Sequence, residues 1–258
     1  MLAPASANVV MQLSRLGVGR GVAESRVHSG SLFRHPLRRT RMTLTYIDVS
    51  LYGTEEERRE LRRHVNAQHR DVRSRPGDAV AYDAYDPNLQ LWVGACMYVG
   101  SLQGYETLYG AAPEDVAEEL LARCARFSTT LQVPAHQWPR DRASFAMYWQ
   151  ESLKEVSLDE VTRNYLREFI DLRYLPRPLG AVLRPLNRLL TGGYLEPAFR
   201  DALELDWTSR RQRQFERAQA VMRWLDRYLP TWLAIFPWNL VRYDSRRRLA
   251  RGRPLTGR

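Results

Sequence analysis

The sequence predicts an all-α fold, one helical domain spanning residues 1–258, and three observations lead there. Helix-opening signals recur: Thr54 three residues before Glu57, Asp86 directly before Pro87, and Asp141 before an aromatic run. Apolar residues then repeat three and four positions apart, the spacing of one helix face. No alternating apolar and polar run persists long enough to read as a strand.

Thr54-Glu55-Glu56-Glu57 is a capping box, in which the Thr54 hydroxyl accepts from the Glu57 amide while the Glu57 carboxylate reaches back. A helix begins there and is expected to run to Pro76-Gly77, a rod of roughly 30 Å at about 1.5 Å per residue. Leu61, Val65, His69 and Val72 fall at steps of four, four and three, which puts His69 on its buried stripe. Asp86-Pro87 opens a second helix toward Gly110, apolar around most of its circumference and therefore central to the core. Gly94, Gly100 and Gly104 in it permit close approach by a neighbour or a ligand. Pro113-Glu114-Asp115 starts a helix carrying Val116, Leu120, Cys124 and Phe127. Asp141 caps the next, and Ser157-Leu158-Asp159-Glu160 reads as a second capping box. The prolines of residues 175–185 predict a bent connection. The last long helix runs from about Thr208 to Tyr228; Pro230 breaks it before a short apolar helix ending at Leu240, and residues 244–258 read as a loose basic tail.

With 44% hydrophobic residues the chain carries enough apolar material for a sizeable core, which excludes intrinsic disorder. Its 10% aromatic content suits an interior able to hold a large flat apolar ligand, although packing alone explains it equally well. The formal charge of +10 would ordinarily raise nucleic acid or anionic membrane as a partner. Lys154 is the sole lysine, however, and the arginines are spread along the whole chain, as compositional drift would spread them. No nucleic-acid partner is expected. Cys96 and Cys124 sit in apolar surroundings without CxxC spacing, so a cytoplasmic, reducing compartment fits better than a disulfide scaffold. No run approaches the roughly 20 apolar residues that span a bilayer, so membrane contact, where it occurs, is peripheral; no signal peptide is read at the start.

Among the five histidines no pair has HExxH geometry, and the chain lacks a GxSxG elbow, a Walker loop and a dinucleotide fingerprint. His69 is the residue with most chemical interest, because a neutral imidazole facing a helical core is what a five-coordinate haem iron requires of its ligand. A satisfied structural histidine has the same pattern. Arg70 and Arg73 project to other faces of the same helix and are either bidentate ligands for propionates or solvated helix arginines.

Two runs carry a family resemblance: Val65-Asn-Ala-Gln-His69-Arg-Asp-Val72-Arg-Ser74, then Tyr85-Asp86-Pro87-Asn-Leu89-Gln-Leu91-Trp92-Val93-Gly94-Ala95-Cys96. Together they resemble the HxxV and DPxLxxWV signature of the MpaB-like and rubber-oxygenase family, and further matches at Trp138-Pro139, Tyr148-Trp149 and Phe236-Pro237 extend it over most of the chain. The family includes oxygenases that cleave C=C bonds of farnesyl side chains and polyisoprene, in globin-like helical folds that carry haem b. The resemblance implies that His69 is the proximal, iron-bound ligand and that the wall of the second helix, Trp92 included, faces haem or substrate. Candidates for a distal group acting on dioxygen are Arg26, His28 and Ser29. Gly94 stands where the family often has histidine, Ser14-Arg15-Leu16 where many members have Ala-His-Pro, and the family's N-terminal segment is expected to be missing. The implied partners are an apolar isoprenoid or lipid-like substrate and dioxygen; the alternatives are a non-catalytic haem or hydrophobic-ligand binder, and an Arg-rich binder of nucleic acid or anionic membrane.

Overall fold

The computed structural model describes residues 3–25 and 31–255. Among them every regular element is a helix, apart from an isolated antiparallel bridge between Arg73 and Asp83. In chain order the helices are α1 (Ala5–Leu13), α2 (Leu16–Ala23), α3 (Pro36–Tyr52), α4 (Glu55–His69), α5 (Pro87–Tyr109), α6 (Glu114–Cys124), α7 (Arg126–Thr129), α8 (Arg142–Leu153), α9 (Glu160–Ile170), α10 (Arg177–Tyr194), α11 (Pro197–Ala202), α12 (Ser209–Tyr228), α13 (Thr231–Ala234) and α14 (Trp238–Ala250). A 3-10 turn at Ala135–Gln137 precedes α8.

Helix α5 is the axis of the molecule. Asp86 caps it, its carboxylate accepting from the Asn88 amide at 2.8 Å, and Gly110 ends it with a φ of 84° that side-chain-bearing residues rarely adopt. Helices α1, α6, α7 and α12 pack around it, as expected of a helix with no polar face. The Trp92 ring stacks on Trp149 at 5.3 Å with Phe199 beside them, and its indole N–H donates to the Gln12 carbonyl at 3.0 Å, fixing α1 to α5. Two glycines of α5 explain how closely its neighbours come. A Cβ on Gly94 would lie 1.9 Å from the buried Ser128 hydroxyl and 3.3 Å from the Trp138 ring, and one on Gly100 would lie 2.4 Å from the Asn8 amide nitrogen. The occupants are neighbouring side chains of the protein.

Several expectations change in the structure, each for a local reason. Helix α4 stops at His69 and does not reach Pro76, because the backbone groups that follow are taken by another segment. The Ala84 amide donates to the Val72 carbonyl at 2.9 Å and the Ser74 amide to the Tyr82 carbonyl at 2.8 Å, so residues 72–84 form a short hairpin. The α4 rod is therefore about 22 Å long, from 15 residues. Helix α9 is capped by Asp159, whose carboxylate accepts from the Thr162 amide at 2.8 Å, and not by Ser157. The chain from Pro113 does not stay in one helix to Phe127 but breaks at Ala125 between α6 and α7. The proline-rich stretch forms the start of α10 instead of a bent connection: Pro178 sits in the first turn, where a missing N–H costs nothing, and Pro185 is accommodated inside the helix.

The basic tail is also ordered as far as Leu255. Helix α14 continues to Ala250 and packs on α3, Asp244 pairs with Arg41 at 3.2 Å and Arg248 at 2.9 Å, and Leu255 is fully buried against Val49 and Leu61. Burying a leucine contributes about 1.5–3 kcal/mol, enough to hold a short terminal segment in place.

Gly94→Ala is expected to lower stability by about 1–3 kcal/mol through overpacking against Ser128 and Trp138, read as a shift in urea midpoint at unchanged m-value.

Candidate functional site

A cavity of about 590 Å³ lies beside the end of α4. Its walls come from α1, α2, α3, α4, α5 and α9, with Val9, Val18, Ile47, Val93, Met97 and Phe169 among the apolar side chains and Trp238 closing one edge. The size falls within the range of small-molecule and cofactor sites. Val65, His69 and Val72 all face it, so the predicted stripe of α4 is a cavity wall, while Leu61 at the far end of that stripe is buried under Leu255.

His69 brings the principal heteroatoms. Among the described residues neither ring nitrogen has a hydrogen-bond partner, and Nδ1 is buried as well. Burial, reinforced by the positive charge of Arg39 and weakly opposed by Asp83, pushes the imidazole pKa from its ordinary 6.5 down to about 4. The ring is therefore neutral at physiological pH, with a lone pair free to ligate or accept.

Arg39 also lines the cavity, as do the polar side chains of Gln68 and Asp83. Pro36 at the first turn of α3 starts the helix that carries it, and Arg39, Thr43 and Ile47 succeed one another at steps of four along the face toward the cavity. Arg39 lines the cavity and is itself exposed; desolvation by the groups around it lowers its pKa and only Tyr165 partly offsets the effect. Among the described residues no carboxylate pairs with it. A guanidinium without a carboxylate partner on the wall of a largely apolar chamber is a group that an anionic ligand would pair with.

A hydrogen-bonded frame fixes His69 relative to α5. The Gln132 side-chain amide donates to Asn66 Oδ1 at 2.8 Å, Gln90 donates to Gln132 Oε1 at 2.5 Å and to the Ala84 carbonyl at 2.7 Å, and the Gln132 amide donates back to Gln90 Oε1 at 2.8 Å. The Tyr85 hydroxyl closes the frame on the Asn66 carbonyl at 2.7 Å, one turn before His69. Buried amides paired in this way define one arrangement of the helix end, the hairpin and α5.

The sequence-predicted residues are placed as follows. His69 lines the cavity. Arg70 and Arg73 are exposed and do not line it, and Trp92 lies in the aromatic core with Arg15 over its ring at 4.8 Å, also off the cavity wall. Arg26, His28 and Ser29 lie outside the described residues. Gly94 is on the side of α5 packed against Ser128 and Trp138, neither of which lines the cavity. Arg39 is the cavity residue that sequence reading passed over; the one available signal was an arginine in register with Thr43 and Ile47 on an otherwise apolar stripe. Among the described residues no group of three metal-ligating side chains occurs, so a metal here would be held by His69 with ligands that it brings itself.

The depressed His69 pKa sets a direction for stability. The unfolded chain takes up a proton at the ordinary value and the folded chain only near 4, so this contribution is full above about pH 6.5 and is lost as pH falls toward 4. His69→Gln is expected to flatten that part of the profile, measured as the difference in denaturant midpoint between the two proteins from pH 7.5 to pH 4.5. Gln132→Leu, which strips partners from Asn66 and Gln90, is expected to cost about 1–3 kcal/mol in urea unfolding.

Comparison with known proteins adds the lineage. An uncharacterized protein of Mycobacterium tuberculosis and one of Mycobacterium bovis are each 44% identical to the chain over 253 residues, covering 98% of it and 99% of the relative. No solved structure matches. The family model described as "ER-bound oxygenase mpaB/B'/Rubber oxygenase, catalytic domain" matches residues 1–224, which include all of the cavity wall except Trp238. The chain belongs to that oxygenase catalytic-domain family.

Proposed function

We propose that the protein is a haem-dependent oxygenase that holds haem b in the cavity beside His69 and acts on an apolar, isoprenoid or lipid-like substrate with dioxygen. The observation that supports it most is the conjunction, in a chain of an oxygenase family, of a neutral unpartnered imidazole and an unpartnered guanidinium in one apolar chamber. The residues fit the group. His69 would hold the iron through its lone pair, and Arg39 would offer a positive charge to the propionates, the task that the sequence suggests for Arg70 and Arg73. Bound there, haem would supply the redox-active iron needed to activate dioxygen.

The remaining work falls to the chain. Val65 and Val72 flank the imidazole on the cavity wall, and the Asn66, Gln132 and Gln90 frame fixes the helix end that presents it. Val93, Met97, Ile47 and Phe169 exclude water and present dispersion contacts that an unsaturated hydrocarbon can satisfy. The two buried, unpaired cysteines, Cys96 with its thiol pKa pushed well up by burial and Cys124 with its own pushed to about 12, are poor nucleophiles and suit a reducing cytoplasm.

The test is oxygen uptake by haem-reconstituted protein over squalene and other unsaturated lipids, with carbonyl products measured alongside. Uptake in the wild type, abolished in His69→Ala and accompanied by at least roughly tenfold weaker haem binding in Arg39→Ala, is expected. Stable haem binding with no uptake over the whole panel would favour the alternative of a non-catalytic haem or hydrophobic-ligand carrier.

A further inference from the structure

A group of exposed apolar side chains gathers where the chain leaves α12. Trp224, Leu225 and Tyr228 on its last turns are exposed, and Trp232 (65%), Phe236 (53%) and Leu240 (56%) follow within a few residues. The segment folds into one knuckle: the Asn239 side-chain amide donates to the Trp232 carbonyl at 3.0 Å, which brings the start of α13 against the start of α14. Its inward residue, Trp238, is the one that lines the His69 cavity. The same few residues thus close the cavity on one side and offer bare aromatic and aliphatic surface on the other.

The charge around this surface is predominantly positive. Across residues 221–255 eight arginines stand against two acidic residues. Asp244 is occupied by Arg41 and Arg248, while Arg246, Arg247 and Arg251 are exposed with no carboxylate partner among the described residues. Leu240, Tyr243 and Arg247 succeed one another at steps of three and four, so the exposed stripe of α14 passes from apolar to basic within two turns. Exposed tryptophan and tyrosine beside arginines is the arrangement that suits a bilayer interface, with rings at headgroup depth and guanidinium groups at lipid phosphates.

We propose that the 232–243 knuckle, together with the last turns of α12, docks on the surface of an anionic lipid bilayer. No helix among the described residues is long and apolar enough to cross a membrane, so the contact lies in the interface plane. A second copy of the chain is a poorer occupant, because a two-fold contact through this surface would set two basic rims against each other. Docking does not depend on what the cavity holds. It places the Trp238 edge of the cavity next to the membrane, the phase in which isoprenoid and acyl substrates reside.

The experiment is sedimentation of the full chain with vesicles of phosphatidylcholine alone and with about one third phosphatidylglycerol, at low and high salt, with far-UV circular dichroism confirming each fold. The wild type is expected to bind the anionic vesicles about tenfold more tightly than neutral ones, and less at high salt. Trp232→Ser/Phe236→Ser is expected to weaken this binding about tenfold, and Arg246→Gln/Arg247→Gln to weaken it and flatten its salt dependence. The arginine pair alone decides the matter where the aromatic pair does not fold. Absence of wild-type binding, or equal binding by the folded variants, would overturn the proposal. So would a dimer in light scattering that dissociates in the aromatic variant without any vesicle binding, which would assign the surface to self-association. Vesicle binding is read without haem, so its failure is distinct from failure of the oxygenase reading.

Discussion

The arrest of α4 at His69 is the constraint on which the cavity depends. Beyond that residue the backbone amides of Ser74 and Ala84 are satisfied across the 72–84 hairpin, so the helix cannot continue without leaving those groups unpaired. The helix therefore ends with its last side chain turned into the chamber, where a continued rod would have carried the chain past it. Asn66, Gln132, Gln90 and Tyr85 then tie this end to α5 and to the loop after α7, a set of buried amides whose alternative is several unsatisfied polar atoms.

From this anchor the chemistry follows by desolvation. Apolar walls lower the pKa of both the imidazole and the guanidinium, and neither has a protein partner among the described residues to compensate. An imidazole whose buried Nδ1 has no partner is unusual, since buried polar groups are normally bonded. A ligand that brings both a metal centre and anionic substituents would engage both groups together, which is why we propose haem over a hydrocarbon alone. Family membership narrows the reaction to oxygenation but leaves the bound group and the substrate to experiment.

What could be read from sequence divides along physical lines. Thr54, Asp86 and Asp141 were legible as caps because their partners lie two or three residues away. The stripe from Leu61 to Val72 was legible because helical periodicity is local, and the DPxLxxWV run marked α5 correctly. The end of α4 was not, because the hydrogen bonds that stop it come from residues 82–84. The tail beyond Asp244 was mistaken for loose chain because its anchors, Arg41, Val49 and Leu61, lie in helices far earlier in sequence. Arg39 was overlooked among 39 basic residues for the same reason: its significance lies in packing against α4 and α9, which periodicity within α3 only hints at.

The most direct measurement is the absorbance spectrum of the protein expressed with haem supply, for wild type and His69→Ala side by side. A Soret band in the wild type that is lost in the variant, with helical circular dichroism unchanged, is the expected result. A wild type without a Soret band, or a variant that keeps it, would contradict the assignment of His69 as the axial ligand.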